Sequence, residues 1–292
     1  MPQTHGTVIE AGFVELWGPQ VFLFCILAIL LYEKMAKAFK DNGSQVEAKN
    51  RFLFYAGIVL FYVAKGSPVD FYGHHYLFSL HMVQQSLLYY IIPPLMLMGI
   101  PTRAWEKALE VKIVKSLVTL NPLIATFLFN GMFSLYHYPA IFDGIMGNPY
   151  FTVLSQILLI TVSSLMWWHI ISPVPSVERI SGLKKIGYIF LSGVLLTPAC
   201  GLIMFAGKVV YSTYINAPIL VRVLPTTLDD QQLGGILMKI FQEIALMGAL
   251  VLAFFEWYRK ENPTDSIDPI GGENQMEYLH LSTSLAGPQN RP

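Results

Sequence analysis

Charge is the scarcest property of this chain: only 13% of its 292 residues are Asp, Glu, Lys or Arg, about half the share in an average soluble domain. No polar segment is long enough to fold as a soluble domain of its own. The signs balance to a formal net charge of zero, so no basic excess marks a nucleic-acid binder. Cysteine is nearly absent as well. Cys25 and Cys200 stand alone in separate apolar runs, which leaves no disulfide framework and no CxxC site and reads them as small packing residues. The signatures GxSxG, HExxH and Walker A and the dinucleotide fingerprint are missing, and soluble-enzyme mechanisms lose their support with them. The opening residues MPQTHGTVIEAGF lack the basic stretch of a cleavable signal peptide, so the first apolar run is expected to stay as an anchor.

What the chain has is apolar sequence, 54% of the total. Seven runs read as helices: Trp17 to Met35, Phe52 to Val69, Tyr76 to Gly99, Asn121 to Tyr138, Pro149 to Ile170, Leu183 to Ala206 and Asp229 to Tyr258. Their lengths suit a ~30 Å hydrocarbon layer. Lys and Arg test the count. Loops 33–51, 100–120 and 170–187 and the C-terminal tail carry fifteen of them, whereas 1–16, 65–75, 137–150 and 206–228 carry three. That asymmetry predicts an all-α integral membrane protein, a seven-helix bundle with its N-terminus outside and its C-terminus cytoplasmic. The organisation expected is an external tail over 1–16, a membrane domain over 17–258 and a cytoplasmic tail over 259–292. Tail composition, rich in Pro, Gly, Ser and Asn, predicts disorder there. Lys65 is expected to snorkel outward, and Trp17, Trp105, Trp167, Trp168 and Trp257 to sit at the interfaces. Pro93 and Pro94 should kink or break the third helix.

Polar residues within such helices are functional candidates by default. His74, His75, His81, His137, Asp70, Asp143, Asp229 and Asp230 all fall near the external side of this topology. Thr126, Asn130, Ser134 and His137 form one stripe on the fourth helix, and Gln232, Gly235, Lys239, Gln242 and Glu243 another on the seventh. Both stripes should face protein or water. Imidazoles with the Met82 thioether suit a soft or borderline ion, copper(I) above all. The candidate ligands are therefore His81, Met82 and His137, helped by His74 or His75 and Asp230. Other readings stand beside this one: imidazoles hydrogen-bonded between helices, a Zn-dependent intramembrane hydrolase, or bis-His haem through His81 and His137. His5, His169 and His280 are expected to be solvated or interfacial.

Four stretches, HMVQQSLLYYIIPPLMLMGIP (81–101), YHYPAIFD (136–143), MWWHIISPVP (166–175) and DDQQLGGILMK (229–239), resemble in sequence and order the bacterial CtaG family. Its members are integral-membrane assembly factors of caa-type cytochrome c oxidase. The resemblance covers roughly Trp17 to Tyr258. It implies a multi-pass protein of the bacterial cell membrane, not itself an enzyme, that assists copper delivery or insertion during oxidase maturation. Its implied partners are cytochrome c oxidase subunits, the lipid bilayer and a copper donor protein, with no nucleic acid. His81 and Met82 match the family's His-Met pair, His137 its His before Pro, and Asp230, Gln232 and Gly235 the start of its last helix. Three positions depart from the pattern: Gln85 and Gln156 stand where many relatives carry His, and Lys239 where Trp is expected. The external segment Ala206 to Leu228, with Tyr211, Tyr214 and Arg222, is the expected docking surface. A metal-free scaffold is the remaining alternative.

Overall fold

The computed structural model describes residues 11–41 and 46–262, and every α-helix, 3₁₀ turn and π turn among them belongs to a helical fold without strands. His5, His280 and most of both tails lie outside the described residues. The α-helices are α1 (Phe13–Trp17), α2 (Pro19–Asp41), α3 (Ala48–Lys65), α4 (Pro68–His75), α5 (Phe78–Ser86), α6 (Ile92–Gly99), α7 (Thr102–Ala108), α8 (Lys112–Val118), α9 (Pro122–Tyr136), α10 (Pro139–Met146), α11 (Pro149–Ile171), α12 (Leu183–Leu195), α13 (Thr197–Met204) and α14 (Thr227–Glu261). Starts are written locally. Ser67-Pro68, Asn121-Pro122 and Asn148-Pro149 each put a side-chain acceptor on an N–H of the first turn, with proline where no donor is needed.

Four helical segments, Phe13–Phe39, Pro149–Ile171, Leu183–Met204 and Thr227–Glu261, are long and apolar enough to cross a membrane. Three bent pairs, α3 with α4 (42°), Phe78–Gly99 with α7 (97°) and α8 with α9 (85°), raise the number to as many as seven. The sharp bends set α7 and α8 across the axes of the helices they join.

The chain does not break at Pro93 and Pro94. A π turn over Leu87–Ile91 joins α5 to α6, so Phe78–Gly99 runs through both prolines. Proline at 93 has no N–H for the Tyr89 carbonyl four residues back. That carbonyl is met instead from α11, by the Ser163 hydroxyl and by the Trp167 indole N–H at 3.1 Å. Trp167 and Trp168 are therefore buried, against the expectation that they lie at an interface: one donates to the proline-freed carbonyl, and the other packs edge-on against Trp105. His169 is buried too, a further correction, and its ring lies against Tyr188. Lys65 forms an ion pair with Asp70 of α4, the helix that follows it.

The bundle is built on α14, which packs on α5, α12 and α13, while α11 packs on α9 and α6 and α3 on α6. Gly99 permits the α3–α6 approach, since a Cβ there would come within 2.6 Å of the Phe54 backbone N. α2 packs on α3 through a small separate cluster of Cys25, Tyr32, Phe54 and Ile58. Both cysteines are buried and free, as expected.

Candidate functional site

Two adjacent aspartates begin the site. Asp229 closes a capping box with Thr226 at the start of its own helix, while Asp230 caps a different one. Leu77, which precedes α5, has no side-chain acceptor. Asp230 supplies it from α14, accepting from Phe78 N at 2.7 Å, from Ser79 N at 3.3 Å and from the Ser79 hydroxyl. A carboxylate at the positive end of a helix is favourable. The contact fixes the register of α5 on α14, and with it the position of His81 one turn further on.

His81 is buried between α5 and α9. Its Nε2 lies 3.0 Å from the Tyr136 hydroxyl and 3.2 Å from the Gln85 amide nitrogen, and its Nδ1 has no hydrogen-bond partner. His137 is buried at the end of α9, where its Nδ1–H donates to the Phe133 carbonyl at 2.7 Å. A carbonyl can only accept, so the proton is on Nδ1 and the buried Nε2 carries a free lone pair, which no group meets. Tyr136 links the two imidazoles, since its ring centroid is 5.1 Å from that of His137. Gln85 Oε1, Asn130 Oδ1 and the hydroxyls of Tyr89 and Tyr90 are buried without partners as well. Native interiors pair such atoms almost always. Their concentration on α5, α9 and the π turn marks a place built for something polar.

The roof comes from the connection after α13. Tyr211 and Tyr214 are each 1% exposed, which corrects their expected place on a docking surface. Tyr211 donates to the His137 carbonyl at 2.9 Å and Tyr214 to the Gly73 carbonyl at 2.7 Å. Their rings pack on Phe78 and Phe142, and Phe142 meets His81 edge-on at 5.5 Å. Asp143 pins this connection from below, accepting from Ser212 N at 3.0 Å and Thr213 N at 3.1 Å. Burial raises the Asp143 carboxyl, but the hydrogen bonds from Ser212 and Thr213 outweigh it and hold the group below its ordinary value. Arg222 remains exposed.

The expected ligands thus part company. His81 and His137 share one aromatic-walled layer. Met82 is fully buried but packs into the α14 contact, where a Cβ at Gly234 would meet its Cγ at 3.1 Å. Asp230 is occupied in capping, and His74 and His75 sit at the end of α4, their ring centroids 4.9 Å apart. Gln156 is partly buried on α11. Among the described residues no group of three or more His, Cys, Asp and Glu side chains gathers as a metal cage would require. Sequence reasoning missed Tyr136, whose hydroxyl meets His81, and Tyr89 and Tyr90, whose hydroxyls are unmet; their aromatic rings gave no sign of either.

Below this layer the second polar line closes up. Thr126 and Ser192 hydroxyls lie 2.7 Å apart, Asn130 donates to Thr126 Oγ1 at 3.2 Å, and Gln242 donates to the Ser192 carbonyl at 3.2 Å. Lys239 pairs with Glu243 four residues on, as their spacing implied. Both stripes face protein, except at this last pair.

A multi-helix, membrane-type protein with an orphaned polar layer under an aromatic roof is the class these features define. The model of the cytochrome c oxidase caa3 assembly factor family (Caa3_CtaG) matches residues 29–260, and the chain belongs to that family. Comparison with curated proteins gives no match, and neither does comparison with solved structures.

Proposed function

We propose that this chain assists maturation of a caa3-type cytochrome c oxidase by holding copper as transient cargo, with His81 and His137 as its ligands. It would act on an oxidase subunit as a seven-crossing protein of the bacterial cell membrane, N-terminus outside, itself supplied by a copper donor protein. The observation that carries the reading is the pair of buried, unpartnered ring nitrogens, Nδ1 of His81 and Nε2 of His137. His137 already has the tautomer a ligand needs, fixed by the Phe133 carbonyl, as outer hydrogen bonds fix metal-ligating imidazoles. For His81 the same logic runs through Gln85. With its amide turned so that Oε1 accepts from Nε2–H, beside Tyr136, the Nδ1 lone pair is freed. Gln85 then orients a ligand instead of being one. Two imidazoles in a water-poor layer suit a soft monovalent ion better than Zn, which takes three protein ligands and an open position.

A second reading, an assembly scaffold without metal, draws on the lack of any three-ligand group among the described residues. Elemental analysis of anaerobically purified protein after copper loading and desalting separates the two. Copper retained by the parent and by Met82→Leu, and lost in His81→Ala and in His137→Ala, supports the cargo reading. Equal retention in all four would place copper elsewhere. No retention in the parent, with oxidase maturation still dependent on the chain, leaves the scaffold.

A further inference from the structure

Beyond the buried imidazoles, one charged pair lies on the outside of the bundle where the chain has least reason to expose it. Glu243 is the seventeenth residue of the 35-residue α14, so each helix end is roughly 25 Å away. Its side chain is 48% exposed and that of Lys239 is 22% exposed. Exposed Ile240, Ile244, Met247 and Val251 surround them on the same helix, so the pair opens at mid-span onto an apolar face. A carboxylate in that place is expensive unless protein or water meets it.

The pair does not satisfy itself. The Lys239 ammonium has three protons and four acceptors within reach: Glu243 Oε1, the Gly193 carbonyl at 3.0 Å, Thr197 Oγ1 at 2.9 Å and Gln242 Oε1 at 3.4 Å. It is saturated. Glu243 gives one oxygen to this contact, and its side chain lines a cleft of about 200 Å³ together with Phe190, Gly193, Val194, Thr197 and Met247. The cleft exists because α12 ends at Leu195 and Thr197-Pro198 starts a new helix. Gly193 and Thr197, four apart on that wall, already meet α14: a Cβ at Gly193 would lie 3.6 Å from Leu246 Cδ1 and 3.8 Å from Glu243 Oε1, and Thr197 Oγ1 accepts from Lys239.

We propose that this cleft between α12 and α14 docks a transmembrane helix of the client, one carrying a hydrogen-bond donor at mid-span for the free oxygen of Glu243. Charge complementarity selects that occupant. A second copy meeting this one through the same face would offer the same saturated lysine and the same acceptor, and a lipid chain offers no donor. The client's identity as an oxidase subunit rests on the proposed function, whereas the docking mode does not. The buried line Gln242–Ser192–Thr126–Asn130 runs from this pair toward α9, which puts the docked helix against the same polar interior.

The test uses the full chain in its own membranes. Phe190→benzoylphenylalanine beside the cleft, and Ile157→benzoylphenylalanine on α11 as control, are irradiated and the adducts identified by mass spectrometry. The expected product at 190 is a transmembrane segment of an oxidase subunit. Its yield should fall about tenfold or more with Glu243→Ala, as loss of a charge-assisted hydrogen bond entails, and recover partly with Glu243→Gln. Should Glu243→Ala fail to fold, the isosteric Glu243→Gln and the neutral pair Lys239→Met with Glu243→Leu carry the comparison. Adducts with lipid alone, with a second copy, or independent of residue 243 overturn the proposal. A Glu243-dependent adduct to a membrane helix that is not from an oxidase upholds the docking mode and overturns the oxidase reading.

Discussion

Single residues carry more of this fold than their types announce. Gly234 lies where α14 crosses α5, and a Cβ there would meet Phe78 Cδ1 at 2.5 Å. Phe78 cannot yield, because Tyr211 is stacked on it. Gly234→Ala should therefore cost about 1–3 kcal/mol by overpacking, while Gly131→Ala, with open space at its Cβ, should be neutral or stabilising. Thermal unfolding of the two variants in detergent checks this, and equal midpoints would refute the rigid crossing. Asp143 gives the pH prediction. Its folded pKa lies below its ordinary 3.8, so its ionised form adds stability above that value and the gain is lost as pH falls through the folded pKa. Solvent screening at this exposed site keeps the effect below about 1 kcal/mol. Between pH 6 and 3 the parent should lose more stability than Asp143→Asn, and Tyr211 and Tyr214 fluorescence should report the roof loosening first. The sequence already put Asp143, Asp230, His81 and His137 on one side of the molecule. What it could not tell is that Asp230 would spend itself on the N-terminus of α5, because that vacancy arises at Leu77, 153 positions away in the chain numbering.

At the scale of elements, periodicity and proline were legible and their partners were not. Of the stripe Thr126, Asn130, Ser134 and His137, Ser134 is partly exposed and the other three are buried. Pro93 announced a lost hydrogen bond, yet the remedy lay in Ser163 and Trp167 on another helix, whose indoles read as interfacial. Each donor backs up the other at the Tyr89 carbonyl. Ser163→Ala and Trp167→Phe should consequently cost more together than the sum of their separate effects, by about 1–2 kcal/mol, since only the double variant leaves the carbonyl bare. Pro93→Ala restores an N–H that can reach it, so in that background the excess should vanish. A double-mutant cycle in both backgrounds, read by thermal stability in detergent, decides the matter. Additive losses in the parent would mean that the π turn, not α11, satisfies the carbonyl.

For the whole molecule, the question is which ends face which side. Length and apolarity alone allow four to seven crossings, because three candidate spans are bent pairs rather than straight helices. The Lys and Arg distribution favours seven: fifteen lie in the segments assigned to the inner side and three in those assigned to the outer side. Four crossings would scatter those fifteen across both faces. The two buried native cysteines make a direct test possible, since neither should react in the folded protein. Val223→Cys, 82% exposed in the connection before α14, and Ile113→Cys, 73% exposed on α8, fall on opposite sides in the seven-crossing arrangement. A membrane-impermeant maleimide applied to intact cells should label the first at once and the second only after permeabilisation. The polar layer of His81 and His137 lies under Tyr211 in the same connection as Val223, so outward labelling there would also put the proposed copper site next to the outer surface. Labelling of both positions from outside would remove an odd number of crossings between them, and with it the topology on which delivery from the outer face depends.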